Sequence, residues 1–104
     1  MAKTEIILGE AGGNYQVYKS VIYKSAGTMN VTGVGFEPKE IYIGLGSQLL
    51  TNIDSNGNAG NTLYEIGANG SYSGNSYGTL TINSDGFSDN YSFSAFYMDV
   101  VCIG

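Results

Sequence analysis

The sequence predicts an all-β domain, an antiparallel β-sandwich of jelly-roll type with about eight strands. Composition carries the first part of that reading: Gly, Ser, Asn and Thr make up 44 of the 104 residues, and only 12% are charged. Such a chain turns often. Short apolar runs recur between clusters of Gly, Asn and Ser, with no low-complexity linker and no internal repeat, which is the pattern of strands joined by tight turns. A helical stripe finds no room, because Gly or β-branched residues fall inside nearly every window; only Pro38-Lys39-Glu40 could open a helical turn. At this length residues 1–104 form one domain with one hydrophobic core, and a small barrel is the alternative architecture.

Each strand has its own signal. Residues 4–8 are a short candidate at the amino end. Residues 15–23 read as a long strand, with Tyr15, Val17, Val21 and Tyr23 on one face and a break near Lys19. Residues 29–34 follow. The clearest strand is 39–45, where Ile41, Ile43 and Leu45 alternate with Glu40, Tyr42 and Gly44, the period of a half-buried strand. Residues 48–53, 62–66 and 79–83 are shorter runs, and Leu80 and Ile82 point inward in the last of them. From Tyr91 to Ala95 only the odd positions are apolar, whereas from Phe96 onward both parities are apolar except at Asp99. A bulge near Ala95, or a second surface packed on the outer face, accounts for the change.

Several chemistries lack their residues. There is no Arg, His or Trp, and nine acidic residues outnumber four Lys for a net charge of −5. Without a basic cluster the counterion release that drives nucleic-acid binding has no source, so no nucleic-acid partner is expected. Without His, the Ser-His-Asp and Cys-His arrangements and imidazole-based zinc sites are absent, so no catalytic residue and no cofactor is expected. Cys102 has no partner for an intrachain disulfide and no base beside it in sequence; it reads as a small apolar residue of the last strand. The three-residue apolar run Ile6-Ile7-Leu8 is too short for a signal-peptide core, and no stretch is long enough to cross a bilayer. The chain is expected to be soluble, made inside a cell and not inserted into a membrane.

Three loop motifs invite a chemical test. In the segment from Asp54 to Glu65, Asp54, Asn56, Asn58 and Glu65 occupy positions 1, 3, 5 and 12 of a calcium loop. Its sixth position is Ala59 and its eighth is Asn61, where the motif wants Gly and an apolar anchor. A hairpin loop without metal, mobile and built by Asn, Gly and Asp, is the expected state. Gly67-Ala68-Asn69-Gly70 and Gly74-Asn75-Ser76-Tyr77-Gly78 resemble phosphate loops only in their glycines and read as turns, with Tyr72 and Tyr77 exposed as candidate ligand-binding residues. Nine Tyr among Ser, Gly and Asn is a paratope-like composition whose rings also stack on sugars. Most of them serve equally well as strand-edge filler. Asp85 and Asp89 form the one acid pair worth testing as catalytic, and two acids in one Gly-Phe-Ser turn read first as turn formers.

Thr28-Met29-Asn30-Val31-Thr32-Gly33-Val34-Gly35-Phe36-Glu37-Pro38-Lys39-Glu40-Ile41-Tyr42-Ile43 resembles the Gly-Phe-x-Pro signature of small β domains in bacteriophage tail fibres, baseplates and other virion appendages. Leu80-Thr81-Ile82-Asn83-Ser84-Asp85-Gly86-Phe87, followed by Tyr91-Ser92-Phe93-Ser94-Ala95-Phe96-Tyr97, is similar to their later half. In the physical reading Gly33 and Gly35 make a tight approach, Phe36 plugs the core end, Pro38 stiffens the next strand, and Gly86 and Phe87 form the second structural turn. The resemblance implies a non-enzymatic virion structural protein, a tail, baseplate, fibre or capsid-decoration component. It would assemble in the host cytoplasm with copies of itself, as a trimer, and with other virion proteins. Contact with a host surface glycan is a further implication. The expected interface is the face of the last strand that carries Phe96, Met98, Val100 and Cys102. The alternative is a carbohydrate-binding β-sandwich module.

Overall fold

The computed structural model describes residues 16–67 and 69–104. They form eight strands and, among the described residues, no helix: β1 (Val17–Lys24), β2 (Gly27–Val31), β3 (Glu40–Leu45), β4 (Gln48–Ile53), β5 (Ala59–Ile66), β6 (Tyr72–Asn83), β7 (Gly86–Phe93) and β8 (Phe96–Ile103). All pairings are antiparallel, in the order β1-β8-β3-β4-β5-β6-β7-β2. The all-β class and the strand number are those the sequence predicts. The strand expected at 4–8, like Tyr15, lies outside the described residues. The β1 strand runs without a break at Lys19, and the interruption comes instead after Lys24.

The sheet curls because two long strands bend at the same place. Lys24 lies opposite Phe96 and Gly27 opposite Phe93, so the links at 25–26 and 94–95 face each other across one continuous ribbon. Half of that ribbon is β1·β8 and half is β2·β7. Between them β3 to β6 form a meander, whose first strand pairs with β8 and whose last pairs with β7. Both edges of the meander therefore meet successive halves of one bent strand, and the sheet nearly closes on itself. The outer wrap, first strand with last and second with seventh, is that of a jelly roll, while β3 pairs with β4 as a simple hairpin neighbour. The irregularity expected near Ala95 is this bend.

The β6 strand bends as well. It pairs with β5 as far as Thr79 and with β7 from Leu80 onward. The Gly74–Gly78 segment, expected as a turn, lies within this strand, and its pairing with β5 slips twice. Gly78 has φ +96° where β7 crowds it: a Cβ there would run into the side chains of Asp89 and Asn90. Only glycine fits that close approach.

Alternation fills the interior. Ile41 and Ile43 of β3, Leu50 of β4, Leu63 of β5, Phe87 of β7 and Val100 of β8 are fully buried. The buried polar groups of β4 are satisfied locally. Asn52 accepts from Ile41 N at 2.8 Å and donates to Lys39 O and Gly60 O, and Thr51 donates to Ile41 O. A buried amide so matched costs little and fixes the register of β3 against β4 and β5.

The link from β2 to β3, residues 32–39, must cross the end of the curled sheet. Asp85 holds it. Gly33 N and Gly35 N donate to the two carboxylate oxygens at 3.0 and 2.8 Å, and Val34 N donates to Asp85 O at 3.0 Å. Beneath this clamp Gly86, at φ +155°, leaves no space for a Cβ, which would collide with Val31 O. Phe87 is a core residue and Pro38 is fully buried, and Lys39 N closes the crossing on Ile103 O at 2.7 Å. Phe36 packs against the core while only partly buried, with its ring against Gly104. It caps the end of the core, and Phe87 is the fully buried aromatic of the pair.

Substitutions at the crossing separate steric from polar contributions. Gly86→Ala is expected to lower stability by about 3 kcal/mol or more, because backbone must move to admit the methyl group. Asp85→Ala loses charge-assisted bonds at an exposed turn and is expected to cost about 1–2 kcal/mol. Phe36→Ala, at a half-buried site, should also cost about 1–2 kcal/mol. Denaturant melts of the three variants read that order directly.

Candidate functional site

The end of the sheet opposite the crossing carries the polar and aromatic residues. Leu45 at the end of β3 and Gln48 at the start of β4 face Tyr77 of β6, Tyr91, Ser92 and Phe93 of β7, Ser94 of the bend, and Phe96 at the start of β8. Together they line an open groove of about 250 Å³. The rings are arranged edge to face, with Tyr77 and Tyr91 centroids 5.1 Å apart and Tyr91 and Phe93 4.8 Å apart. Such pairs hold one another's orientation.

A hydrogen-bonded trio lies at one side of the groove. Tyr77 OH donates to Glu65 Oε1 at 3.0 Å, and Gln48 Nε2 donates to Glu65 Oε2 at 3.3 Å and to Tyr77 OH at 3.2 Å. The Tyr77 hydroxyl, then the Gln48 amide, hold the Glu65 carboxyl below its ordinary pKa, and burial with the adjacent carboxylate raises that of Tyr77. Across the bend, Lys24 donates to Ser25 O and places its ammonium 5.7 Å from the Phe93 ring centroid. A carboxylate and an ammonium thus lie behind the aromatic faces, Glu65 bonded to Tyr77 and Lys24 buried beside Phe93, while neither lines the groove itself.

Of the two tyrosines singled out in the sequence, Tyr77 lies in this groove and Tyr72 does not. Tyr72 packs edge to face with Tyr64 at 5.9 Å and donates its hydroxyl to Ile53 O and Asp54 O, so it anchors the β4–β5 loop. That loop is a self-capped hairpin: Asp54 Oδ1 accepts from Asn56 N and Asn58 N, each at 2.9 Å. Residues 59–65 are strand and not loop, and Glu65 stands opposite Leu50, four residues back along β4 from Asp54, about 13 Å by strand rise. The twelve positions do not wrap a common centre.

The expected interface face requires correction. Met98, Val100 and Cys102 are the inner side of β8, buried against Ile41 and Ile43 of β3 and Ile22 of β1. Burial pushes the Cys102 thiol up to about 11, consistent with its reading as an apolar strand residue. Of the four, only Phe96 is exposed, at the rim of the groove. The outward side of the same ribbon carries Tyr97, Asp99, Val101 and Ile103 beside Val17, Lys19, Val21 and Tyr23, with Tyr23 and Tyr97 rings 4.9 Å apart. Parity alone could not say which of two apolar sides of β8 faced inward; the alternation of β3 beside it decides the matter.

Gln48 and Tyr91 were not singled out by sequence as site residues, and Glu65 was singled out only as the last position of a calcium-loop pattern. A usable signal was present for Gln48, a polar residue on the parity of Leu50 within an apolar strand, which marks the end of a core layer.

Asp85 and Asp89 do not face each other across a cleft. Asp85 is the clamp described above, whereas Asp89 is 3% exposed and points into the core opposite Met29 and Leu80. Its Oδ2 has no hydrogen-bond partner, and burial raises its pKa from 3.8 to about 6. The folded protein holds this proton up to about pH 6 while the unfolded chain releases it near 3.8, so this group's contribution to stability falls as pH rises between those values. Thermal melts at pH 4.5 and pH 7.5 should give a wild-type to Asp89→Asn difference that favours the variant by about 1–3 kcal/mol more at the higher pH.

Comparison with protein-family models, with curated proteins and with solved structures returns no match for this chain.

Proposed function

We propose that the chain is a non-enzymatic structural component of a bacteriophage or prophage virion, a tail, baseplate, fibre or capsid-decoration protein, that assembles with copies of itself and other virion proteins. Assembly takes place in the host cytoplasm, and the finished protein resides in the virion. The observation that carries this reading is the outer face of the β1·β8 ribbon. Val21, Tyr23 and Tyr97 are 68%, 57% and 67% exposed, side by side on two paired strands. These three large side chains gain nothing from standing in water, although Lys19 and Asp99 share their face, and among the described residues β1 ends the strand order, an edge that association covers. Symmetric contact between copies is the simplest cover.

The motif resemblance supports the same reading through physics. Its two stretches meet in space, since Gly33 and Gly35 of the first bind Asp85 of the second. A carbohydrate-binding module is the second reading, favoured by the ring-lined groove at the bend.

Light scattering of the purified protein at micromolar concentration should give a trimer. Tyr97→Lys combined with Val21→Lys, both exposed, should give a folded monomer. A wild-type monomer contradicts the reading, and a stable dimer keeps the interface while removing the fibre-like geometry.

A further inference from the structure

The groove at the bend combines features that limit what it can hold. Tyr91 and Phe96 are 40% and 45% exposed, large aromatic surface left to water at the rim. The polar groups around them are hydroxyls and an amide: Ser92 and Ser94 line the groove, and Gln48 commits Nε2 to Glu65 and Tyr77, which leaves its Oε1 as an acceptor. Tyr91 is braced edge to face by Tyr77 and Phe93, and the hydroxyl of Tyr77 is itself fixed by Glu65. This is a preorganised surface, and it loses little freedom on binding.

Charge narrows the ligand class. The Lys24 ammonium over Phe93 opposes a cation and the Glu65 carboxylate behind Tyr77 opposes an anion, and each offsets the other's attraction, so a ligand of either charge gains little net field. A neutral ring with apolar C–H faces and a hydroxyl edge meets neither penalty, and its faces match aromatic rings while its edge matches amide and hydroxyl groups.

We propose that this groove binds one neutral sugar ring, stacked on Tyr91 and Phe96 with its hydroxyls bonded to Gln48, Ser92 and Ser94. The volume of about 250 Å³ and the open shape suit a single pyranose at the end of a glycan. The site stands on its own geometry; only the host surface as the source of the sugar rests on the virion reading. A groove that fails to bind sugar leaves the assembly result untouched, and a monomeric protein that binds sugar would retain the site while overturning assembly.

The test is an NMR titration of isotope-labelled protein with the methyl glycosides of glucose, galactose and N-acetylglucosamine, with choline as the cationic control. At least one glycoside should bind saturably in the millimolar range, with shifts confined to Gln48, Tyr77 and the bend from Tyr91 to Phe96. Tyr91→Ala should weaken binding about tenfold, the loss of one stacking face. Phe96→Ser gives an independent reading should Tyr91→Ala fail to fold, and Asn56→Ala, on the β4–β5 loop and outside the groove, should leave binding unchanged. Absence of binding by all three sugars, affinity that survives loss of Tyr91 or Phe96, or tighter binding of choline than of any sugar would overturn the proposal.

Discussion

Asp85 receiving the amides of Gly33 and Gly35 is the contact on which the closed shape depends. A sheet of this order has β1 and β2 at its two ends although they are consecutive in the chain, so the sheet must curl until the ends meet. After β2 the chain has to leave the β7 side and reach β8 and β4 to begin β3. Eight residues make that crossing, and their amides need acceptors away from any ladder. The Asp85 carboxylate supplies two and its carbonyl a third. With the crossing fixed, Ile41 and Ile43 enter the core in register, Asn52 can bridge Lys39 and Gly60, and the β3–β6 meander has a defined start. Gly86 is the steric counterpart: the turn can approach Val31 only because it has no side chain.

The paired bend after Lys24 and before Phe96 divides the outer surfaces. On the concave side it opens the ladder just where Tyr91, Phe93 and Phe96 meet Gln48 and Tyr77, so a groove forms at the bend. On the convex side the straight β1·β8 half presents Tyr23, Tyr97 and Val21 outward. One geometric device thus places the proposed ligand groove and the proposed assembly face on different sides of the same ribbon. Occupation of one leaves the other accessible.

Strand positions were legible wherever one face is buried and the other wet. The alternation of Ile41, Ile43 and Leu45 located β3, and Gln48–Ile53 has the bounds its apolar run suggested. Where glycine interrupts a strand the reading failed, as at Gly74 and Gly78, because a bulge and a turn draw on the same residue for the same positive φ. The β8 strand failed differently. Both of its faces are apolar, so local pattern left its inner side undetermined, and only pairing with β1 and β3 resolved it. The groove was half legible: Tyr77 was singled out, but its partners come from β4, β5 and β7, between 12 and 29 residues away, and no local spacing encodes that meeting. Asp85 was visible as a turn former, whereas its grip on Gly33 and Gly35, 50 and 52 residues earlier, is a property of the closed sheet.

Native-state hydrogen exchange on the folded protein tests the clamp most directly. The amides of Gly33, Val34 and Gly35 lie in a link outside any strand, and an unheld link of this kind exchanges almost freely. If Asp85 closes the sheet, these three amides are protected to the level of the Val31 and Phe87 amides and lose protection together with them on adding denaturant. Rapid exchange at 33–35 while β2 and β7 remain protected would contradict the account.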